Sequence, residues 1–307
     1  MIDTVKFWYE TTTHTDAILA RLENVQTRVR HDTGEATHTG AVRNFHAFVT
    51  STGFSLNGSL AKFAFGNNVE RLTRRHTAQA TEELSDCLCM PIGAAKVYRL
   101  DVGANMIVRK PVITYLQHLG EAQYFTRAEY GQTGLLFKNG LREMVFYDKA
   151  AECRKAKETM PSVFAGQNVL RYEFRYMKRL GRAFQRPTLH LSDVSDETLY
   201  SALIRTWRQS YNDISKQRRA KAMQVFELKD IRRSKDYLAY LGMLSLGGSN
   251  ELLSTLKAAQ KAKIVDKHQA KRLREMVKEL NAAVFTEEHE TMQELDRKIR
   301  EAAAYFR

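Results

Sequence analysis

Tyr147 lies in the run Leu141-Arg142-Glu143-Met144-Val145-Phe146-Tyr147-Asp148-Lys149-Ala150-Ala151-Glu152. The run follows a turn at Asn139-Gly140, passes through alternating β-prone residues and ends in the Ala, Lys and Glu composition of a helix. The tyrosine is therefore expected where a strand ends. A phenol at such a junction, with Lys149 two positions on and carboxylates nearby, has the surroundings of a covalent nucleophile. The same residue would also suit a half-buried strand edge. A phenol with a pKa of about 10 attacks poorly at neutral pH, so catalysis would need a positive charge that favours the phenolate.

Two further segments have a common pattern. In Val97-Tyr98-Arg99-Leu100-Asp101-Val102-Gly103-Ala104-Asn105 the period of two puts Arg99, Asp101 and Asn105 on one face of a strand. In Leu170-Arg171-Tyr172-Glu173-Phe174-Arg175-Tyr176 it aligns Arg171, Glu173 and Arg175, with aromatics opposite. Carboxylates in mid-strand are costly unless paired or metal-bound. If the two strands are neighbours, Asp101 and Glu173 form an acidic pair able to hold a hard divalent cation, Mg²⁺ or Mn²⁺. Two Arg-carboxylate salt bridges would satisfy the same pattern, and the spacing leaves both open. Arg99, Arg171 and Arg175 would orient these carboxylates or contact phosphate.

The elements that must position these residues come from the whole chain. Its 307 residues are enough for two domains, and 48 Lys and Arg against 35 Asp and Glu give a net charge of +13. That balance favours a polyanionic partner, with nucleic acid first. No run of about 18 apolar residues is present to span a bilayer, and the first residues lack the pattern of a signal peptide. Cys87, Cys89 and Cys153 have no zinc spacing and fit free thiols in a reducing cytoplasm. Strands are expected at 5–9, 41–50, 53–56, 60–65, 96–108, 123–129, 135–137 and 168–177, with helices at 16–29, 77–90 and 111–119 and a loop at 31–40. From Asp193 onward the pattern predicts only helices: 196–218, 223–243, 250–262, 266–280 and 286–305. Segments 251–257 and 271–277 have the size of two helices joined by a short turn. Such a pair can place Lys271, Arg272 and Arg274 in a DNA groove, and a helical bundle with a solvated basic face fits equally.

Four segments taken in order, Ser59-Leu60-Ala61-Lys62-Phe63-Ala64-Phe65-Gly66-Asn67-Asn68-Val69, Val97 to Val102, Val145 to Glu152 and Leu170 to Arg175, resemble the replication initiators of filamentous phages and related plasmids, the II/X family. The opening Met1-Ile2-Asp3 fits as well. The motifs cover roughly residues 1–180, and the family belongs to the HUH-type rolling-circle endonucleases. The resemblance implies an α+β fold: an antiparallel sheet with packed helices (HUH/RRM-like), followed by an all-helical C-terminal region. The composition changes after Pro187, so a nicking-joining domain is expected over 1–187 and a helical domain that binds duplex DNA or a partner over 188–307.

Carried over by position, it makes Tyr147 the nucleophile and Asp101 and Glu173 metal ligands, with Lys149 stabilising the phenolate or the scissile phosphate. The Gly66-Asn67-Asn68 turn would put the oxygen of Asn67 on the metal or the DNA, with Asn68 beside it on the DNA. The sequence departs from the wider class in having no His-hydrophobe-His pair, which leaves His46 and His76 as substitutes for a third ligand. The implied reaction at an origin, on single-stranded or duplex DNA, leaves a 5′-phosphotyrosyl protein and a 3′-hydroxyl for host polymerase, with a host helicase as a further partner. No nucleotide cofactor is implied, and no Walker-type loop is present. Two other classes remain: a non-catalytic nucleic-acid-binding regulator, and a primase-like nucleotidyltransferase that would need nucleoside triphosphates.

Overall fold

The computed structural model describes residues 1–12, 15–131, 133–220, 230–282 and 286–306. Its first elements are β1 (Ile2–Glu10), α1 (Thr15–Leu19), β2 (Glu23–Val29), β3 (Ala36–Val42), β4 (Phe45–Thr50), β5 (Gly53–Ser59), α2 (Leu60–Phe65), α3 (Arg74–Leu88) and β6 (Lys96–Val108). There follow α4 (Val112–Leu116), β7 (Leu119–Ala122), β8 (Thr126–Glu129), β9 (Gly134–Lys138), β10 (Arg142–Asp148), α5 (Lys149–Ala156), β11 (Asn168–Tyr176), α6 (Leu180–Ala183) and α7 (Glu197–Asn212). The remainder is β12 (Ile214–Lys216), β13 (Arg218–Ala220), α8 (Ile231–Ser245), α9 (Gly248–Lys261), α10 (Lys267–Ala282), β14 (Thr286–Glu288) and α11 (Glu290–Tyr305).

Ten strands make one antiparallel sheet in the order β2-β3-β4-β5-β1-β6-β11-β10-β9-β8. With the helices that follow, this is the expected α+β fold. The two strands with the Arg-carboxylate pattern, β6 and β11, are neighbours: Arg171 stands opposite Asn105, Glu173 opposite Gly103 and Arg175 opposite Asp101. On the other side of β11, Tyr147 stands opposite Arg171. Cross-strand partners point to the same face, so all these side chains converge on one side of the sheet.

The opposite face is apolar and carries the core. Phe146 stacks on Tyr172 with ring centres 4.3 Å apart, and Tyr172 stacks on Trp207 of α7 at 4.9 Å. The Tyr172 hydroxyl donates to the Trp207 carbonyl at 3.1 Å, while the Trp207 indole N–H donates to the Tyr172 carbonyl at 3.3 Å. Both aromatic side chains thus bury their polar atoms with partners. Burial of each such ring is worth about 1.5–3 kcal/mol.

Gly103 makes room for Glu173. A Cβ at position 103 would stand 2.9 Å from Glu173 Cγ and 3.0 Å from the Tyr172 carbonyl oxygen. Gly103→Ala is expected to destabilise the fold by about 1–3 kcal/mol, the usual cost of overpacking. Urea unfolding checks this, and an unchanged midpoint would show that Glu173 has other room.

The chain divides into two compact units, one of Met1–Val112, Tyr124–Tyr211 and Lys298–Arg307, the other of Ile113–Gln123 and Asn212–Arg297. In the second, α8, α9 and α10 close around Tyr240, Met243, Val277 and Leu280.

Several expected elements differ. Of the expected helix 16–29 only α1 is helical, and Glu23–Val29 is an exposed strand paired with β3. The spacing of Ile18, Leu22 and Val25 fits a helix, but β-branched Val25, Thr27 and Val29 alternate, and their strand register prevails. The second half of the expected loop 31–40 is taken up by β3. The expected strand 60–65 is α2, because the Ser59 hydroxyl caps it by accepting from the Lys62 N–H and Gly66 ends it in the left-handed region. Beyond Asp193 the region is not purely helical: α7 stops at Asn212, and the short strands β12, β13 and β14 follow. Within the expected helix 223–243, residues 223–229 lie outside the described residues. No helix among the described residues is long and apolar enough to cross a membrane.

Candidate active site

Glu173 is the hub of a buried polar cluster. The Tyr147 hydroxyl donates to its Oε1 at 2.9 Å, and Arg171 Nε donates to the same oxygen at 2.6 Å. Arg175 donates to Oε2 twice, from Nε at 2.9 Å and Nη2 at 2.7 Å. Arg171 also pairs with Asp3 and donates from Nη1 to the Asn68 carbonyl at 2.9 Å and to Asn105 Oδ1 at 3.1 Å. Asp3 accepts in addition from the Ser59 hydroxyl and from Asn68 Nδ2. Asp101 is gripped by Arg99, with Nε to Oδ1 at 3.0 Å and Nη2 to Oδ2 at 2.6 Å, while Arg175 Nε stands 3.8 Å away. Arg175 further faces Glu143 at 3.5 Å and lies 5.7 Å over the ring of Tyr130, which is 6.0 Å from the ring of Tyr147.

Asp3, Asp101, Arg171 and Glu173 are buried, whereas Arg99 and Arg175 are partly exposed above them. Three carboxylates and three guanidiniums therefore alternate with no net charge, which is what makes their burial tolerable. Asp3 reaches the cluster because the β1/β6 register shifts between Ile2 and Val5. Such an irregularity re-aims a side chain out of strict alternation.

The electrostatics follow from burial and from the arginines. Burial pushes the Tyr147 phenol well above its ordinary pKa, opposed by the charge of Arg171 and reinforced by Glu173 and Asp3. Burial would also raise Glu173, but Arg171 and Arg175 outweigh it and hold the carboxyl at about 2. Asp101 has one close guanidinium and the Glu173 charge nearby, so burial wins and it rises to about 6. Folded Asp101 thus binds its proton more tightly than the unfolded chain, where Asp titrates near ~3.9. Its stabilising contribution is present below that value and is lost as the pH rises through about 6. Wild type is therefore expected to lose stability relative to Asp101→Asn between about pH 4 and pH 6. Parallel unfolding curves across that range would contradict this.

The family model for the N-terminal region of a phage replication-associated protein matches residues 1–198. The chain belongs to this phage replication family. No curated protein matches it. Every residue of the cluster lies within the part that the family model matches, and the family supports a replication-initiator role.

In this member of the phage replication family the expected residues fall as follows. Tyr147, Asp101, Glu173, Arg99, Arg171 and Arg175 come together. Asn68 joins them; its Oδ1 is buried and finds no donor among the described residues. Asn67 instead closes a turn, its Oδ1 accepting from the backbone N–H of Val69 and of Glu70 at 3.0 Å each. Lys149 is fully buried, with its ammonium 2.5 Å from Glu152, and the charge that most favours the Tyr147 phenolate is that of Arg171. His76 caps α3, accepting from the Thr73 N–H through Nδ1, and His46 is exposed on β4. Lys271, Arg272 and Arg274 lie on the solvent side of α10, in the second unit.

Asp101, Glu173 and Asn67 do not fit Mg²⁺ or Mn²⁺ as they are arranged. Both Glu173 oxygens accept from arginine, Asp101 is held by Arg99, and the Asn67 oxygen serves its own turn. Glu152, Cys153 and Glu158 put ligand atoms within 4.8 Å of one another, but Lys149 and Lys62 already pair with the two carboxylates. Sequence reasoning missed Asp3, Ser59 and Tyr130. The signal for Asp3 was the fit of the opening Met1-Ile2-Asp3 to the family, which names the residue without giving it a partner.

Proposed function

We propose that this chain is a nicking and joining enzyme of rolling-circle replication, with Tyr147 as its nucleophile. The observation that carries the reading is the hydrogen bond from the Tyr147 hydroxyl to Glu173, a carboxylate itself oriented by Arg171 and Arg175. Nucleophile, base and orienting groups within hydrogen-bond reach are the arrangement that covalent catalysis requires. In the reaction the phenol proton passes to Glu173 Oε1 as the phenolate oxygen bonds to phosphorus. The bond from phosphorus to the 3′ oxygen breaks, and that oxygen takes up a proton. A 5′-phosphotyrosyl link and a free 3′-hydroxyl result. The reverse reaction, with a new 3′-hydroxyl, rejoins the strand.

In the resting arrangement burial keeps Tyr147 protonated and the two arginines keep Glu173 a weak base, so the site rests inactive. Arg99 and Arg175, partly exposed, would meet a DNA phosphate first. Drawing Arg175 onto phosphate would remove one of the two charges that depress Glu173, and the base would recover strength as the substrate arrives. Arg171 stays below as the counter-charge to the developing phenolate. Lys271, Arg272 and Arg274 would add contact with duplex origin, and host helicase and polymerase would act on the nicked product.

The test is to incubate the chain with origin DNA and look for a denaturant-stable protein-DNA product. Repeating the assay in chelator, then with Mg²⁺ or Mn²⁺ restored, reads whether a cation joins the arginines. The burial of Tyr147, only 9% exposed, favours a second reading, a regulator that binds DNA without cutting it. That reading expects salt-dependent binding and no adduct.

A further inference from the structure

The polar face of the sheet continues away from Tyr147 as an open surface. Across β4, β5, β1 and β6 the register sets His46, Asn57, Lys6 and Arg99 in one row. Phe48, Ser55, Trp8 and Lys96 form the next. Each row spans three inter-strand spacings, roughly 14 Å. The surface is concave, with a volume of about 630 Å³, and Tyr98, bulged out beside Arg99, joins its lining.

Three features distinguish it from an ordinary solvated face. Phe48 is 43% and Tyr98 53% exposed, and Trp8 is half-buried beside them, so aromatic rings stand where alternation would normally place polar residues. Lys6 is exposed and has no carboxylate partner among the described residues, which leaves its charge available to a polyanion. Asn57 Oδ1 finds no donor among the described residues. Arg99 belongs both to this surface and to the cluster, where it grips Asp101.

We propose that this face carries the unpaired DNA strand that leads to Tyr147, with bases stacking on Trp8, Phe48 and Tyr98 and phosphates meeting Lys6 and Arg99. The proposal rests on the nicking reading for the strand's destination. Aromatic rings interleaved with cations bind single strands, because every unpaired base offers a π-face. Paired bases are already stacked, so a duplex cannot use the rings. The surface is continuous with the cluster through Arg99, so a strand lying along it would deliver phosphate to Arg175 and Tyr147.

The chain's two tryptophans make the test direct, because Trp207 is fully buried and any quenching on binding reports on Trp8. With the full wild-type chain and oligothymidylate, we expect saturable quenching that falls as salt rises. Trp8→Phe should abolish the signal. Phe48→Ala and Tyr98→Ala, at exposed positions that do not support the core, should each weaken binding on the order of tenfold, as lost stacking does. A duplex of equal length should leave the emission unchanged. The inference is overturned if oligothymidylate does not bind. It is equally overturned if binding leaves Trp8 unquenched and the two alanine variants at full affinity, or if the duplex quenches as strongly. Adduct formation on origin DNA is scored separately: an adduct without quenching removes only this surface, and quenching without an adduct removes only the nicking chemistry.

Discussion

Tyr147→Phe folds, binds DNA within about twofold of wild type and forms no covalent adduct: this is the expected result with the largest effect on activity, a loss of at least about a thousandfold. The ring keeps its packing, and Glu173 Oε1 keeps its bond from Arg171, so the variant loses one hydrogen bond worth about 0.5–1.5 kcal/mol. Tyr130 is the strongest rival, 38% exposed and beneath the Arg175 guanidinium. Tyr172 is sealed in its stack between Phe146 and Trp207, on the face away from Glu173. Mass spectrometry of the trapped complex separates them. A nucleotide found on Tyr130, Tyr176 or a serine would remove Tyr147 from its role and leave the family membership untouched.

Arg171→Met is expected to have the largest effect on stability, about 3–5 kcal/mol in urea unfolding at pH 7. The guanidinium serves Asp3, Glu173, Asn105 and the Asn68 carbonyl at once. Removing it strands two buried carboxylates, of which Glu173 alone keeps another arginine. The loss should shrink toward pH 4, where carboxylates deprived of their partner can take up protons. Arg171→Lys should rescue little, since a single ammonium cannot span the four acceptors that a planar fork reaches. A variant within about 1 kcal/mol of wild type would show that Asp3 and Glu173 are satisfied without this residue.

The central strands and most of the cluster were legible in the sequence for a simple reason. The period of two in Arg99-Asp101-Asn105 and in Arg171-Glu173-Arg175 fixes a face without knowledge of the neighbours, and the Tyr147 run carries its own strand-to-helix transition. What stayed hidden depends on contacts between distant parts of the chain. Asp3 enters only because β1 is irregular at the point where it meets β6, an event with no signature in Ile2-Asp3-Thr4-Val5. Asn67 and Asn68 are adjacent and chemically identical, and only the local turn decides that one caps backbone while the other reaches the cluster. Whether the carboxylates face a cation or arginines depends on rotamers that spacing does not specify. Leu60–Phe65 misled because its residues suit either a strand or a helix, and the Ser59 cap settles the choice.

The pairing of Tyr172 with Trp207 has a consequence for how the protein is made. On the ribosome β11 emerges well before α7, so the nascent chain presents Phe146 and Tyr172 to solvent until Glu197–Asn212 follows. During that interval the sheet is a sticky aromatic surface of the kind that chaperones hold. A gene cut after Pro187 would encode every member of the polar cluster and omit the helix that covers its back. Such a product would carry the whole polar cluster on a sheet whose aromatic face lacks its covering helix, and it is expected to be less soluble than the full chain. For this chain the polar cluster is complete by Arg175, whereas the helix that covers the back of its sheet ends only at Asn212.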